Sequence, residues 1–330
     1  KMHHSPQHVG VAAAALGAAA ALAYYLWRTP RKIKWLQPED IEAWIDRYDT
    51  FLLDCDGVVW LDTQAVPNVP ETLAILRKRG KRVLFVSNNA TKHRSQYLDK
   101  FKNMGIEATL DDVVTSAVGA ARYFVQKNGT GAKVYACGTQ GLVRELEDAG
   151  ATLVKHPGEM DTELLVSGPA LVKVDLETKA VVAGADWNLT HRKLSYAVQC
   201  LLKIPDCELI ATNGDGLYPA GDGNYYPGAG ATVKPLEFCA KRTATYIGKP
   251  GPMLLDILEA TQNMDKKRTL MVGDRIDTDI EFGNVGGVET LLVLTGVTPD
   301  KEKAEESRGV QRPIYGIQSL GDLAAALKGK

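Results

Sequence analysis

The chain changes pattern once. Residues 9–27 (VGVAAAALGAAAALAYYLW) carry no charge. Nineteen residues at about 1.5 Å rise predict a helix close to the ~30 Å hydrocarbon core of a bilayer. From Phe51 onward, short apolar runs alternate with amphipathic stretches. The runs 50–54 (TFLLD), 82–87 (RVLFVS), 208–212 (ELIAT), 244–248 (ATYIG), 269–273 (TLMVG) and 290–294 (TLLVL) read as buried strands. Between them, 70–79, 94–104, 113–126, 252–260 and 319–327 read as helices, the first with a proline at its start. Alternating strands and helices predict a parallel sheet wrapped by helices, with sites at the carboxyl ends of its strands.

Composition adds limits. A chain of 330 residues has room for two domains. Its net charge of −1 gives no support for nucleic-acid binding. The balance is uneven, because Lys1, Arg28, Arg31, Lys32 and Lys34 meet no acid in the first 34 residues. That leaves 34 basic against 40 acidic groups in the remainder. Five cysteines without a CxxC pair read as thiols of a reducing compartment.

Residues 1–34 are therefore expected to be a separate membrane anchor. Tyr24, Tyr25 and Trp27 mark one interface, and the basic flank that follows puts the C-terminal body on the cytoplasm-like or matrix-like side. Ala13, Gly17 and Ala21 recur four apart, which suits packing against partner transmembrane helices of a larger complex. A mitochondrial inner membrane, with the body in the matrix, fits the basic, acid-free N-terminus. A targeting peptide and a soluble helix are the competing readings.

Four strand tips carry chemistry. Asp54 and Asp56, one residue apart before Gly57, repel each other unless a cation lies between them. Ser87, Asn88 and Asn89 offer a hydroxyl, amides and backbone N–H groups to an anion at a strand-to-helix junction. Lys249, before Pro250, presents a positive charge. Asp274, Asp277 and Asp279 again invite a hard cation such as Mg²⁺, which takes oxygen ligands and pairs with phosphate. In this order the four suit a metal-bound phosphate attacked by a carboxylate. By contrast His93, His156 and His191 are scattered and read as surface or capping residues.

DCDGVVW (54–60), VSNNATKHR (86–94), IGKP (247–250) and VGDRIDTDI (272–280) together resemble the four motifs of the haloacid dehalogenase-like phosphatases. The resemblance is greatest to the phosphoglycolate, pyridoxal-phosphate and 4-nitrophenyl phosphatases with a large cap, and runs from about Phe51 to Leu294. It implies an α/β fold: a doubly wound parallel-sheet core with an inserted α/β cap, here with an N-terminal transmembrane helix in addition. The segments would be the anchor 1–34, core 35–129, cap 130–242 and core 243–330. Strands at 133–137, 164–166, 180–183 and 208–212 and a helix at 190–202 would build the cap.

The resemblance also implies roles. Asp54 would attack phosphorus, and Asp56 would act as acid and then base. Ser87, with the amides around Asn88 and Asn89, would hold phosphoryl oxygens, and Lys249 would neutralise charge. Mg²⁺ would be held by Asp54, the carbonyl of Asp56 and Asp274, with Asp279 supporting them and Asp277 facing solvent. The stretch 212–219, with Asn213, Asp215 and Tyr218, resembles the loop that sets substrate specificity. The implied activity is hydrolysis of a small phosphomonoester, 2-phosphoglycolate or a similar compact anion. A pyridoxal-phosphate or broad-specificity phosphatase is the alternative. A structural subunit of a membrane complex, recruited from this fold, is the alternative of another class.

Overall fold

The computed structural model describes residues 32–155, 173–219 and 224–328. Seven strands form one parallel sheet in the order Lys34–Trp35, Tyr315–Ile317, Glu289–Val293, Thr269–Gly273, Thr50–Leu53, Arg82–Ser87, Val113–Thr115. Thr50–Leu53 lies in the interior, and all four of its residues are buried, as expected for a strand covered on both faces. The two-residue side-chain period splits it: Phe51 and Leu53 face one apolar cluster, Leu52 the other.

The first cluster packs the sheet against helices Ile41–Ile45, Val69–Lys78, Ser95–Asn103 and Asp322–Lys328. The second packs it against Ser116–Asn128 and Met253–Gln262, and then continues into a second sheet through Val134, Leu142, Leu146, Ala180, Val182 and Ile210. That five-stranded parallel sheet, the cap, runs Thr245–Tyr246, Glu208–Ala211, Ala180–Ala183, Lys133–Cys137, Thr152–Leu153. Its outer face is covered by helices His191–Lys203 and Gly230–Ala240. Core and cap thus share one apolar cluster.

Several expectations change. The strand expected at 244–248 is only Thr245–Tyr246, half-buried, and it extends the cap sheet, not the core. The helix expected at 113–126 is a strand, Val113–Thr115, followed by a helix, Ser116–Asn128, whose cap is the Thr115 hydroxyl accepting from Val118 N–H. The membrane helix expected at 9–27, the strand at 164–166 and His156 lie outside the described residues. Among the described residues no helix is long and apolar enough to cross a membrane, so the transmembrane part of the expected fold class is withdrawn. Lys34, expected in the anchor's basic flank, pairs with Tyr315 in the core sheet, and Ile33 is buried against Leu292. None of the five cysteines forms a disulfide.

Candidate active site

Asp54 follows strand Thr50–Leu53, and its N–H donates to Val272 O at 2.9 Å. The register sets Leu53 beside both Val272 and Phe85, so three neighbouring strand tips converge. Asp274 follows one of them and Ser87 ends another. After Asp274 the chain makes a single π-helical turn, Ile276–Ile280, which returns Asp279 to the cluster. There Asp279 Oδ2 accepts from Arg275 N–H at 3.1 Å. Carboxylate oxygens of Asp54, Asp274 and Asp279 lie within 4.8 Å of one another.

Lys249 is the cation of this cluster. Its Nζ donates to Asp54 Oδ1 at 2.5 Å, Asp279 Oδ1 at 2.7 Å and Val86 O at 3.1 Å, which uses all three N–H groups. Burial works against its charge, but Asp279 and Asp54 outweigh burial and raise its pKa, so the ammonium persists. Asp54 is pushed well above the usual carboxylate range by burial, with Asp279, Asp274 and Asp56 adding to the push and Lys249 opposing it. Burial and then Asp279 push Asp274 up to about 7, against the Val297 N–H that donates to its Oδ2 at 2.6 Å. One ammonium among three buried or half-buried carboxylates leaves the site short of positive charge.

The residues fit a divalent cation. Asp274 Oδ1 is buried without a hydrogen-bond partner, a state that native structures rarely leave unexplained. The backbone closes on this carboxylate at two glycines. A Cβ at Gly57 would stand 2.5 Å from Oδ2, and one at Gly296 2.0 Å. Gly57 also holds a positive φ of 84°, which the turn after Asp56 requires. A hard cation such as Mg²⁺ takes this all-oxygen donor set.

The other expected residues are placed as follows. Asp56 is exposed, and its Oδ1 accepts from the buried indole of Trp60 at 2.7 Å. Ser87 is buried, and its Oγ accepts from Asn89 N–H at 3.1 Å. Asn88 turns to the Lys249 loop: its Oδ1 accepts from Lys249 N–H, and its Nδ2 donates to Lys249 O, each at 2.8 Å. Asn88 Nδ2 also donates to Asp215 Oδ2 at 3.1 Å, and Asn213 Nδ2 donates to the same oxygen at 2.8 Å. The cap loop therefore reaches the core at Asn88. Tyr218 instead stacks at 6.4 Å on Trp187 and lies 6.3 Å from Tyr226, in an aromatic face of the cap. Asp277 is exposed and paired with Arg275 at 3.0 Å.

Trp60, Val297 and Gly296 were not singled out from the sequence. The signal for Trp60 lay inside DCDGVVW. Gly296 follows the apolar run 290–294 just as the acids follow theirs.

A haloacid dehalogenase-like hydrolase model matches residues 51–152, and a HAD-hydrolase-like model matches residues 246–323. The chain is 38% identical over 288 residues to phosphoglycolate phosphatase 1A of Arabidopsis thaliana, covering 87% of this chain and 80% of that one. It is 38% identical over 299 residues to the 4-nitrophenylphosphatase of Schizosaccharomyces pombe, covering 87% and 97%. The glycerol phosphate phosphatase of Mycobacterium tuberculosis, solved with magnesium, superposes with a TM-score of 0.70 at 30% identity, covering 84% of this chain and 77% of that one. The chain belongs to the haloacid dehalogenase-like hydrolases. Within them it is a phosphoric monoester hydrolase that acts on small phosphorylated substrates.

Proposed function

We propose that the protein is a Mg²⁺-dependent phosphatase that works through an aspartyl-phosphate on Asp54, with 2-phosphoglycolate or a similarly compact anion as substrate. The observation that carries this reading is the orphaned, buried Asp274 Oδ1 beside an Asp54 carboxylate already held by Lys249. Asp54 and Asp274, with the carbonyl of Asp56, would hold the metal. When bound, the metal supplies positive charge against the phosphoryl oxygens and the carboxylates.

The chain's own residues carry the steps. Lys249 holds Asp54 through Oδ1, which supports attack on phosphorus by Oδ2. The P–O bond to the leaving group breaks as the Asp54–phosphorus bond forms, and Asp56 gives its proton to the departing oxygen. Asp56 then takes a proton from a water that attacks phosphorus, which releases phosphate and restores Asp54. Ser87 and the N–H groups that follow it hold the phosphoryl oxygens. In the free site two carboxylates keep Lys249 protonated, and Asp279 remains its carboxylate partner once Asp54 carries the phosphoryl group.

A second reading, broad specificity that includes aryl esters, is favoured by the face formed by Trp187, Tyr218 and Tyr226. The test is a comparison of kcat/KM for 2-phosphoglycolate, glycerol 3-phosphate, pyridoxal phosphate and 4-nitrophenyl phosphate. A clear preference for 2-phosphoglycolate supports the first reading, and equal values support the second. Asp54→Asn should fold normally and lose turnover. Near wild-type activity of that variant with Mg²⁺ present would sink the covalent mechanism.

A further inference from the structure

His93, expected as a surface or capping residue, accepts from Ser95 N–H at 3.3 Å at the start of helix Ser95–Asn103, yet it is buried at 8% exposure, and its neighbours on the cap explain why. The segment from Ser87 to Arg94 links the phosphate-binding strand tip to helix Ser95–Asn103. Cap helix Gln140–Asp148 lies along it. Thr139, just before that helix, donates its hydroxyl to Thr91 O at 2.8 Å. Thr91 in turn donates N–H to Asn89 Oδ1 at 2.9 Å, and Asn89 N–H donates to Ser87 Oγ. A Cβ at Gly141 would meet the Lys92 carbonyl carbon at 2.5 Å, so the helix touches the loop backbone directly.

One turn further on, Glu145 is 1% exposed. Its Oε1 accepts from Arg94 N–H at 2.8 Å, its Oε2 lies 3.2 Å from Arg94 Nε, and His93 Nε2 is 3.3 Å from Oε1. His93 Nε2 also meets Asp148 Oδ2 at 2.9 Å. A buried carboxylate with these partners is not a solvated helix face.

We infer that Glu145 is a positioning residue for phosphate binding: through Arg94 and the Thr139 and Gly141 contacts, the cap helix sets the geometry of the Ser87–Asn89 cradle. The role rests on Ser87 contacting phosphate, as in the function proposed above. It makes the cap part of the phosphate site.

The sign of the effect separates positioning from electrostatics. Removing an acid near a phosphate site would by field alone tighten phosphate binding. Loss of positioning weakens it. Glu145→Ala is therefore expected to weaken inorganic phosphate about tenfold, as a competitive inhibitor and in direct calorimetric binding, and to raise KM by a similar factor while kcat stays within about twofold. Because Glu145→Ala also leaves Arg94 without its acceptor and could fail to fold, Gly141→Ala serves as the second variant. It changes no charge, favours the helix locally, and forces the helix off the Lys92 backbone. The same rise in KM and in the phosphate dissociation constant is expected. Phosphate binding equal to or tighter than wild type in both variants would overturn the inference. So would a loss of kcat with KM unchanged, which marks a merely structural role. If the wild type itself binds no phosphate, the reading of Ser87 fails first, and that outcome is distinguishable from the others.

Discussion

The indole N–H of Trp60 donates to Asp56 Oδ1 at 2.7 Å, four residues on from the acid it orients. Trp60 itself is buried against Phe101, with ring centroids 5.2 Å apart, and Lys100 Nζ lies 3.9 Å over its ring. The exposed carboxylate proposed as acid and base is thus aimed by a residue fixed in the core. Trp60→Phe keeps most of the ring contact and removes the donor. It should lower kcat/KM, which reports the transfer to Asp54 and not the later hydrolysis common to all substrates, about tenfold for glycerol 3-phosphate and much less for 4-nitrophenyl phosphate. 4-Nitrophenolate leaves without help from an acid, so an equal loss on both substrates would argue against this role for the indole.

Lys249 holds two carboxylates at once, so its removal leaves buried Asp279 and half-buried Asp54 without their counter-ion. Lys249→Met should destabilise the metal-free protein by about 3–5 kcal/mol and lower kcat about 100-fold or more. Lowering the pH should recover part of the stability, because Asp54, already pushed upward, then protonates. Thermal melts from pH 8 to pH 5 read this out. A variant with wild-type melting temperature and turnover would exclude the arrangement.

Asp274 gives the pH dependence. Burial and Asp279 raise its pKa to about 7 in the folded protein without metal, above the value of an unfolded aspartate. Between these values the folded state binds the extra proton, so the contribution of Asp274 to metal-free stability is full below the unfolded value and is lost as pH rises through about 7. Mg²⁺ needs the carboxylate form. Its affinity should therefore rise with pH across neutrality, up to about tenfold per unit below pH 7, and its stabilising effect on the melt should be larger at pH 8 than at pH 6. Calorimetry of Mg²⁺ binding at three pH values measures this, and an affinity flat from pH 6 to pH 8 would contradict it.

The parts of the site legible in the sequence are those that follow uninterrupted apolar strands. Asp54, Ser87 and Asp274 each close a run that only a covered strand explains, and the parallel register then brings their tips together. Lys249 was legible by type but not by place, because Thr245–Tyr246 belongs to the cap sheet and its loop is carried to the core by Asn88. The strand Val113–Thr115 was hidden because apolar positions run on from it into helix Ser116–Asn128, and a short apolar run has no period of its own. Glu145 gave no signal in the sequence, and the reading of His93 as a surface or capping residue missed its burial. An acid on an amphipathic helix and a histidine in a polar loop look solvated until a second segment, about fifty residues away in sequence, is packed on them.

Gly296 tests how closely the backbone must approach Asp274. It has no contact chemistry of its own, and its single requirement is space: a Cβ there would lie 2.0 Å from Asp274 Oδ2 and 2.8 Å from its Cβ. The neighbouring Val297 N–H, which aims the same carboxylate, would be displaced with it. Gly296→Ala should therefore act on the metal before it acts on the substrate. The Mg²⁺ concentration for half-maximal activity should rise about 10–100-fold, the range seen when a ligand's orienting partner is lost. At saturating Mg²⁺, KM should stay near wild type, because Ser87 and the N–H groups after it are untouched. Mg²⁺ titrations of activity and of the thermal melt give two independent readings. A wild-type Mg²⁺ requirement in both would mean that Asp274 can move aside without loss, and that the close approach of residues 57 and 296 does not serve the metal site.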